Sequence, residues 1–172
     1  MSVKQFSAVY SPLEDRIIFS FNTTEGELYS FVLTRAITAS LLDYGELVVE
    51  QSLSSQHNER SSKLISEFQK AGLKKQINFA EAFEGGDTTP LGKDPILVSQ
   101  ISLDLKPNTV GVSLTLVSNQ IIGFQIAAVQ LQALSLLLEK LARQANWKIT
   151  LEDHSGPDLL LDANESPISQ LH

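Results

Sequence analysis

The chain of 172 residues has no cysteine, one methionine and one tryptophan. Without thiols it forms no disulfide, no thiolate metal site and no cysteine nucleophile, and several enzyme classes fall away together. Lack of cysteine is compatible with either redox compartment. Long apolar runs are also missing: stretches such as Leu136 to Leu138 fall far short of the ~20 residues that a membrane-spanning helix needs. The N-terminus, "MSVKQFSAVYSPLEDR", combines neither a basic start nor a long apolar run, so no signal peptide is expected and the cytoplasm is the expected location. His57, His154 and His172 lie in separate polar stretches at no metal-ligand spacing. No serine elbow, zinc-binding helix or phosphate loop is found; "FEGGDTTPLGK" has glycines and a lysine but neither the P-loop spacing nor a Lys-Ser/Thr pair. No catalytic residue, metal or cofactor is expected.

What is present is an ordinary globular composition, 42% hydrophobic and 19% charged, long enough for one domain with a sizeable core. The net charge of −7 is unevenly placed. Five acidic residues and no Lys or Arg fall between Glu152 and His172, so this tail carries −5 and the rest of the chain only −2. Tight nonspecific nucleic-acid binding draws on a concentrated basic surface, through release of phosphate counterions. The charge balance argues against that partner.

Hydrophobic periodicity outlines the fold. Phe6, Ala8 and Tyr10 share one parity, a weak strand ending at Pro12, and Ile17, Phe19 and Phe21 alternate with Ile18, Ser20 and Asn22 in the period-two pattern of a half-buried strand. "TTEG" turns the chain and Leu28 to Leu33 returns it, with Tyr29, Phe31 and Leu33 on one face. From Thr34 the spacing changes to three and four, with Ile37, Leu41, Tyr44 and Val48 marking a helical stripe that contains Gly45 and ends in "SLSSQHN". A further helical segment is expected from about Ser61 to Ala71, closed by Gly72. Glu84 to Pro95 reads as a loop. Beyond it, Leu97, Ile101, Leu103 and Leu105 face one way in a strand, Val110 to Leu116 and Ile122 to Ile126 complete a meander, and a helix from Ala127 carries Leu131, Leu134, Leu138 and Leu141. Trp147, Ile149 and Leu151 alternate as a last short strand.

Placing Phe31 over Phe124 also puts Leu33 over Ile126, Leu41 over Leu134, Tyr44 over Leu137 and Val48 over Leu141. Either a duplication or the shared physics of any strand-to-helix unit accounts for the echo. The expected fold is α+β: a single domain over residues 1–151, antiparallel sheet packed on two long helices, followed by an acidic tail over 152–172.

Three groups of residues stand out. Asp15, Arg16 and Arg35 lie at the ends of the first hairpin. A guanidinium at a strand-to-helix junction has the fork geometry for a carboxylate or phosphate, but at a first helical turn it opposes the helix dipole and is expected to turn toward an acidic neighbour, Asp15 or Glu14. That makes Arg35 an organiser of hairpin and helix, with ligand binding as the alternative. Arg60, Lys63, Glu67, Lys70 and Lys74 share one face if their segment is helical, a solvated surface or one that meets phosphate or an acidic partner. In the tail, Leu159, Leu160 and Leu161 stand between Asp158 and Asp162. That triplet has three readings: docking in a partner's groove, folding back over the protein's own sheet, or disorder.

The combination "EDRIIFSF…GELYSFVLTRA" with the later "RQANW" resembles an uncharacterised bacterial family sharing an acidic-Asp-Arg strand opening and an aromatic-x-Leu-Thr-Arg-Arg strand end. Here Ala36 stands where the second arginine would be and Phe31 where Trp is common. The resemblance implies a bacterial origin and a shared fold and carries over no activity. The expected function is therefore non-enzymatic, through contact with an unknown protein partner or with a second copy of the chain. The alternatives are a single-stranded nucleic-acid binder of Whirly or PC4-like architecture, and a small hydrolase or transferase with residues scattered over loops.

Overall fold

A computed structural model describes residues 1–54, 83–107 and 109–149. Strands β1 (Val3–Ser11), β2 (Arg16–Thr23) and β3 (Leu28–Leu33) form an antiparallel meander that leads into helix α1 (Arg35–Ser54). Strands β4 (Ile96–Leu105), β5 (Val110–Leu116) and β6 (Ile121–Ile126) form a second meander that leads into helix α2 (Ala128–Gln144). The six strands make one sheet in chain order. The fold is α+β.

The sheet is mixed, which corrects the antiparallel expectation at one join. β3 and β4 run parallel through Phe31–Ile96 and Val32–Leu97. Parallel neighbours require a long crossover connection, and α1 with the residues up to Pro95 supplies one. The outer strands then approach each other: Ser2 bridges Gln125 in parallel, and the Gln125 N–H donates to the Met1 carbonyl at 3.2 Å. The sheet therefore curls until its two edges touch.

Register agrees between the halves, strand by strand. Phe19 pairs with Phe31 and Val112 with Phe124; Phe6 pairs with Phe21 and Ile101 with Leu114. Each first strand has its irregularity at the same place, between Val3 and Gln5 in β1 and between Val98 and Gln100 in β4. A bulge adds one residue and so reverses side-chain parity beyond it. This corrects the reading of β4, in which Leu97 shared the buried face of Ile101. Val98 is the buried residue, and Leu97 is half-buried.

Alternation places Ile17, Phe19, Phe21, Tyr29, Phe31 and Leu33 from the first meander, and Val110, Val112, Leu114, Leu116, Ile122, Phe124 and Ile126 from the second, in one core with the helices. Phe21 is fully buried, and its ring centroid lies 4.5 Å from that of Phe124, so the meanders meet through aromatic contact. On the other side of the sheet two cross-strand rows are built of small residues: Ser7, Ser20 and Ser30 form one, with Ser20 Oγ 2.9 Å from Ser30 Oγ, and Ser102, Ser113 and Gly123 form another.

α1 packs on β4 and α2 on β1, and the helices pack on each other. Thr34 caps α1: its Oγ1 accepts from the Ile37 N–H at 3.3 Å, which satisfies one of the donors left free at a helix start. At the start of α2, Ala127 has no acceptor, and the Gln130 side chain instead accepts the Ala127 N–H at 2.9 Å. Gly45 sits where the helices meet, and a Cβ there would make a tight contact, 3.1 Å from Ser135 Oγ. The expected segment Ser61 to Ala71 lies outside the described residues.

Candidate interhelical groove

α2 ends in a Schellman motif. Asn146 adopts φ 56°, its N–H donates to the Arg143 carbonyl at 3.0 Å, and the Trp147 N–H donates to the Ala142 carbonyl at 2.8 Å. Asparagine tolerates this left-handed conformation better than most residues. The motif turns the chain back sharply, with Trp147 beside the last turn of α2. It also overturns the expected strand at Trp147 to Ile149: the Trp147 N–H is spent on the helix end, and the Ile149 N–H donates to the Trp147 carbonyl at 2.9 Å, not to a neighbouring strand. Leu151 lies outside the described residues.

Trp147 is buried and held by the hairpin. Its Nε1–H donates to Asp15 Oδ1 at 2.8 Å, the Tyr10 hydroxyl donates to the same oxygen at 2.7 Å, and the Tyr10 and Trp147 rings meet edge-on with centroids 6.0 Å apart. Asp15 takes φ 50° in the turn between β1 and β2. The hydrogen bond from Tyr10, then that from Trp147, together with the charge of Arg35, holds the Asp15 carboxyl below its ordinary range; the same contact raises the Tyr10 phenol. Arg35 does not pair with Asp15 or Glu14 as expected. Asp15 Oδ1 is already engaged by Tyr10 and Trp147, and Arg35 Nη2 donates instead to the Lys148 carbonyl at 2.9 Å. Asp15 and Arg35 thus converge on the segment after α2. Arg16 stands at the start of β2, in register with Ser11. Arg60, Lys63, Lys70, Lys74, Leu159, Leu160 and Leu161, with all three histidines, lie outside the described residues.

This clasp forms one end of a groove between α1 and α2 of about 410 Å³. Leu42, Gly45, Glu46 and Val49 line it from α1, and Gln132, Ser135, Glu139, Ala142 and Arg143 from α2, with Trp147 and Ile149 completing the wall. The superposition that sets Phe31 over Phe124 sets Leu42 over Ser135, Glu46 over Glu139 and Val49 over Ala142, so equivalent positions of the two helices face the same space. Arg143 Nη2 lies 3.8 Å from Glu139 Oε2 on an exposed surface. A second depression, of about 420 Å³, is lined by Arg35, Ala36, Ala39 and Ile149. Ile149 belongs to both.

A polar recess of about 320 Å³ lies near the turn between β2 and β3. Its bonds anchor the loop from Glu84: Asn22 Nδ2 donates to the Gly85 carbonyl at 2.7 Å, and Lys4, the extra residue of the β1 bulge, reaches Glu84 Oε2 at 2.8 Å. Among the described residues no three His, Cys, Asp or Glu side chains cluster as metal ligands, and no helix is long and apolar enough to cross a membrane.

The groove escaped the sequence reading because it depends on the spacing of small residues, Gly45, Ser135 and Ala142, which hydrophobic periodicity treats as filler. One signal was available: the sole tryptophan follows an asparagine just past the end of a helical stripe. The chain matches no protein-family model, no curated protein and no solved structure.

Proposed function

We propose that this protein is a non-enzymatic contact module whose interhelical groove receives an apolar segment of a protein partner. The observation that carries the reading is the groove itself: its volume falls in the range of specific binding clefts, its walls are Leu42, Val49, Ala142, Trp147 and Ile149, and its polar groups stand among them. Helix-in-groove recognition uses this arrangement. The outward rows of the sheet carry serine, valine and isoleucine, with Val9 exposed, and among the described residues no aromatic one, which weighs away from single-stranded nucleic acid, bound on aromatic platforms beside basic grooves.

Selection of displayed random peptides on the full chain tests this, with Trp147 emission as the reporter. Enriched peptides should be apolar, should shift that emission and should lose affinity for a Leu42→Glu chain. Peptides that bind both chains equally and leave Trp147 unchanged would place the contact elsewhere. Oligonucleotide binding that weakens steeply with salt would favour the other reading.

The two halves are read here as copies of one duplicated strand-meander and helix unit. Matching bulges in β1 and β4, and the equivalent seams Val32–Leu97 and Gln125–Ser2, support this. A circular permutant opened in the loop before Ile96, with the present ends joined by a flexible linker, should fold with a similar denaturation midpoint. A permutant that does not fold counts against equivalent halves.

A further inference from the structure

The position at which the chain leaves the described residues bears on what fills the groove. Ile149 is the last of them, and it lines both the groove and the depression beside Arg35. Ten residues further on stands the apolar triplet Leu159 to Leu161, between Asp158 and Asp162. An extended connection of that length spans up to roughly 33 Å. The α1 positions that line the groove, Leu42 to Val49, extend only about 10 Å along the helix. The triplet therefore reaches every part of the groove from its tether.

Charge at the exit is suited to it. Arg35 is fixed against the Lys148 carbonyl, Lys148 is exposed, and Arg143 lines the wall. Glu46 and Glu139 also face the groove, with Glu139 beside Arg143. Arg35 and Lys148 are therefore the cations that the carboxylates flanking a Leu-Leu-Leu segment would meet beside the groove.

We infer that the groove is an autoregulated site, occupied in cis by the chain's own Asp158–Asp162 segment, which a partner's apolar segment must displace. The inference rests on the groove being a binding site, as proposed above. Because the segment is tethered, its effective concentration is in the millimolar range, so an intrinsic affinity of about 0.1 mM suffices to fill the groove in most molecules and to weaken a competitor by about tenfold.

The test uses a labelled peptide of sequence SGPDLLLDAN and fluorescence anisotropy on three full-length chains. On a chain with Leu159, Leu160 and Leu161 all changed to Ser the peptide should bind and shift Trp147 emission; on the unaltered chain its affinity should be about tenfold weaker through competition in cis. Adding Leu42→Glu to the triple variant should abolish binding. A chain with Asp158→Lys and Asp162→Lys, which keeps the leucines, should also bind the peptide more tightly than the unaltered chain does. Equal affinity for the unaltered chain and both tail variants, or no binding to any, overturns the proposal. If selected peptides still bind and shift Trp147 in that event, the groove stands as a site and only its self-occupation falls.

Discussion

If the two meanders enclose one core, Phe21 and Phe124 should be energetically coupled. They belong to different meanders, Phe21 to β2 and Phe124 to β6, and their centroids are 4.5 Å apart at an interplanar angle of 46°. That distance is at the short end for aromatic pairs, whose specific contribution is about 0.5–1.5 kcal/mol beyond area burial. Truncation to alanine would cost about 3–5 kcal/mol at each site, a large share of a typical domain stability of about 5–15 kcal/mol. Leucine is the better perturbation because it retains most of the apolar volume. Phe21 also lies 5.2 Å from Tyr29 and 5.9 Å from Phe31, and each single variant loses part of those contacts, but the cycle subtracts them. Urea unfolding of the parent, Phe21→Leu, Phe124→Leu and the double variant should give a coupling of about 1 kcal/mol with unchanged m values. A coupling below about 0.3 kcal/mol, the scatter of independent sites, would refute contact across the meanders. So would two separate unfolding transitions, because a shared core unfolds as one unit.

Helix starts offer a paired test: Thr34→Ala should cost about 1 kcal/mol, while Ala127→Ser, placed on the extended backbone of an N-cap, should recover a similar amount, both read from thermal melts. The clasp predicts an acid dependence. Asp15 titrates below its unfolded value of about 3.9, so its contribution is present above that pH and is lost as pH falls through the folded value. Asp15→Asn should flatten this part of the stability profile below about pH 4, with a red shift of Trp147 emission, and parallel profiles would show that the carboxylate does not hold Trp147. Gly45→Ala should gain nothing in the parent, where about 1 kcal/mol of helix propensity is opposed by Ser135 Oγ at 3.1 Å from the new Cβ, but should raise the melting temperature in a Ser135→Ala background.

Where local periodicity and tertiary environment agree, the sequence is easily read. β5 and β6 alternate cleanly because each has one face in the core and one outward, and the stripe of Leu131, Leu134, Leu138 and Leu141 is buried as its spacing predicts. β4 resists for a local reason: its bulge reverses parity, and nothing in "ILVSQISL" marks where the extra residue falls. The parallel join of β3 to β4 is a long-range pairing of two residues on each strand, with no local signature. Asp15 and Arg35 stand out in the sequence as charged residues at the ends of the first hairpin, but the pairing expected of Arg35 with Asp15 or Glu14 does not form. Their true partners, Trp147 and the Lys148 carbonyl, lie more than a hundred positions away and come near only when α2 folds back.

The location of the groove follows from how the two helices differ. At the core-facing positions the halves carry large residues on both sides, Leu41 with Leu134 and Val48 with Leu141, and all four are buried. One step around the helix the balance changes: Leu42 and Val49 on α1 correspond to Ser135 and Ala142 on α2, and these four line the groove. Two large residues at each position would fill the space between the helices, and two small ones would let the helices close on each other, since interaxial distance follows the side chains at the contact. Large against small does neither. It leaves a cleft with aliphatic walls beside a well-packed core, and Glu46 and Glu139 at equivalent positions keep charge along it. Close packing is the ordinary condition of a protein interior, and each missing methylene costs stability. The cleft is closed at one end by Trp147, which donates to Asp15 Oδ1 and meets the Tyr10 ring edge-on, so its floor and its end wall are set by different elements, and the proposed binding of an apolar segment needs both.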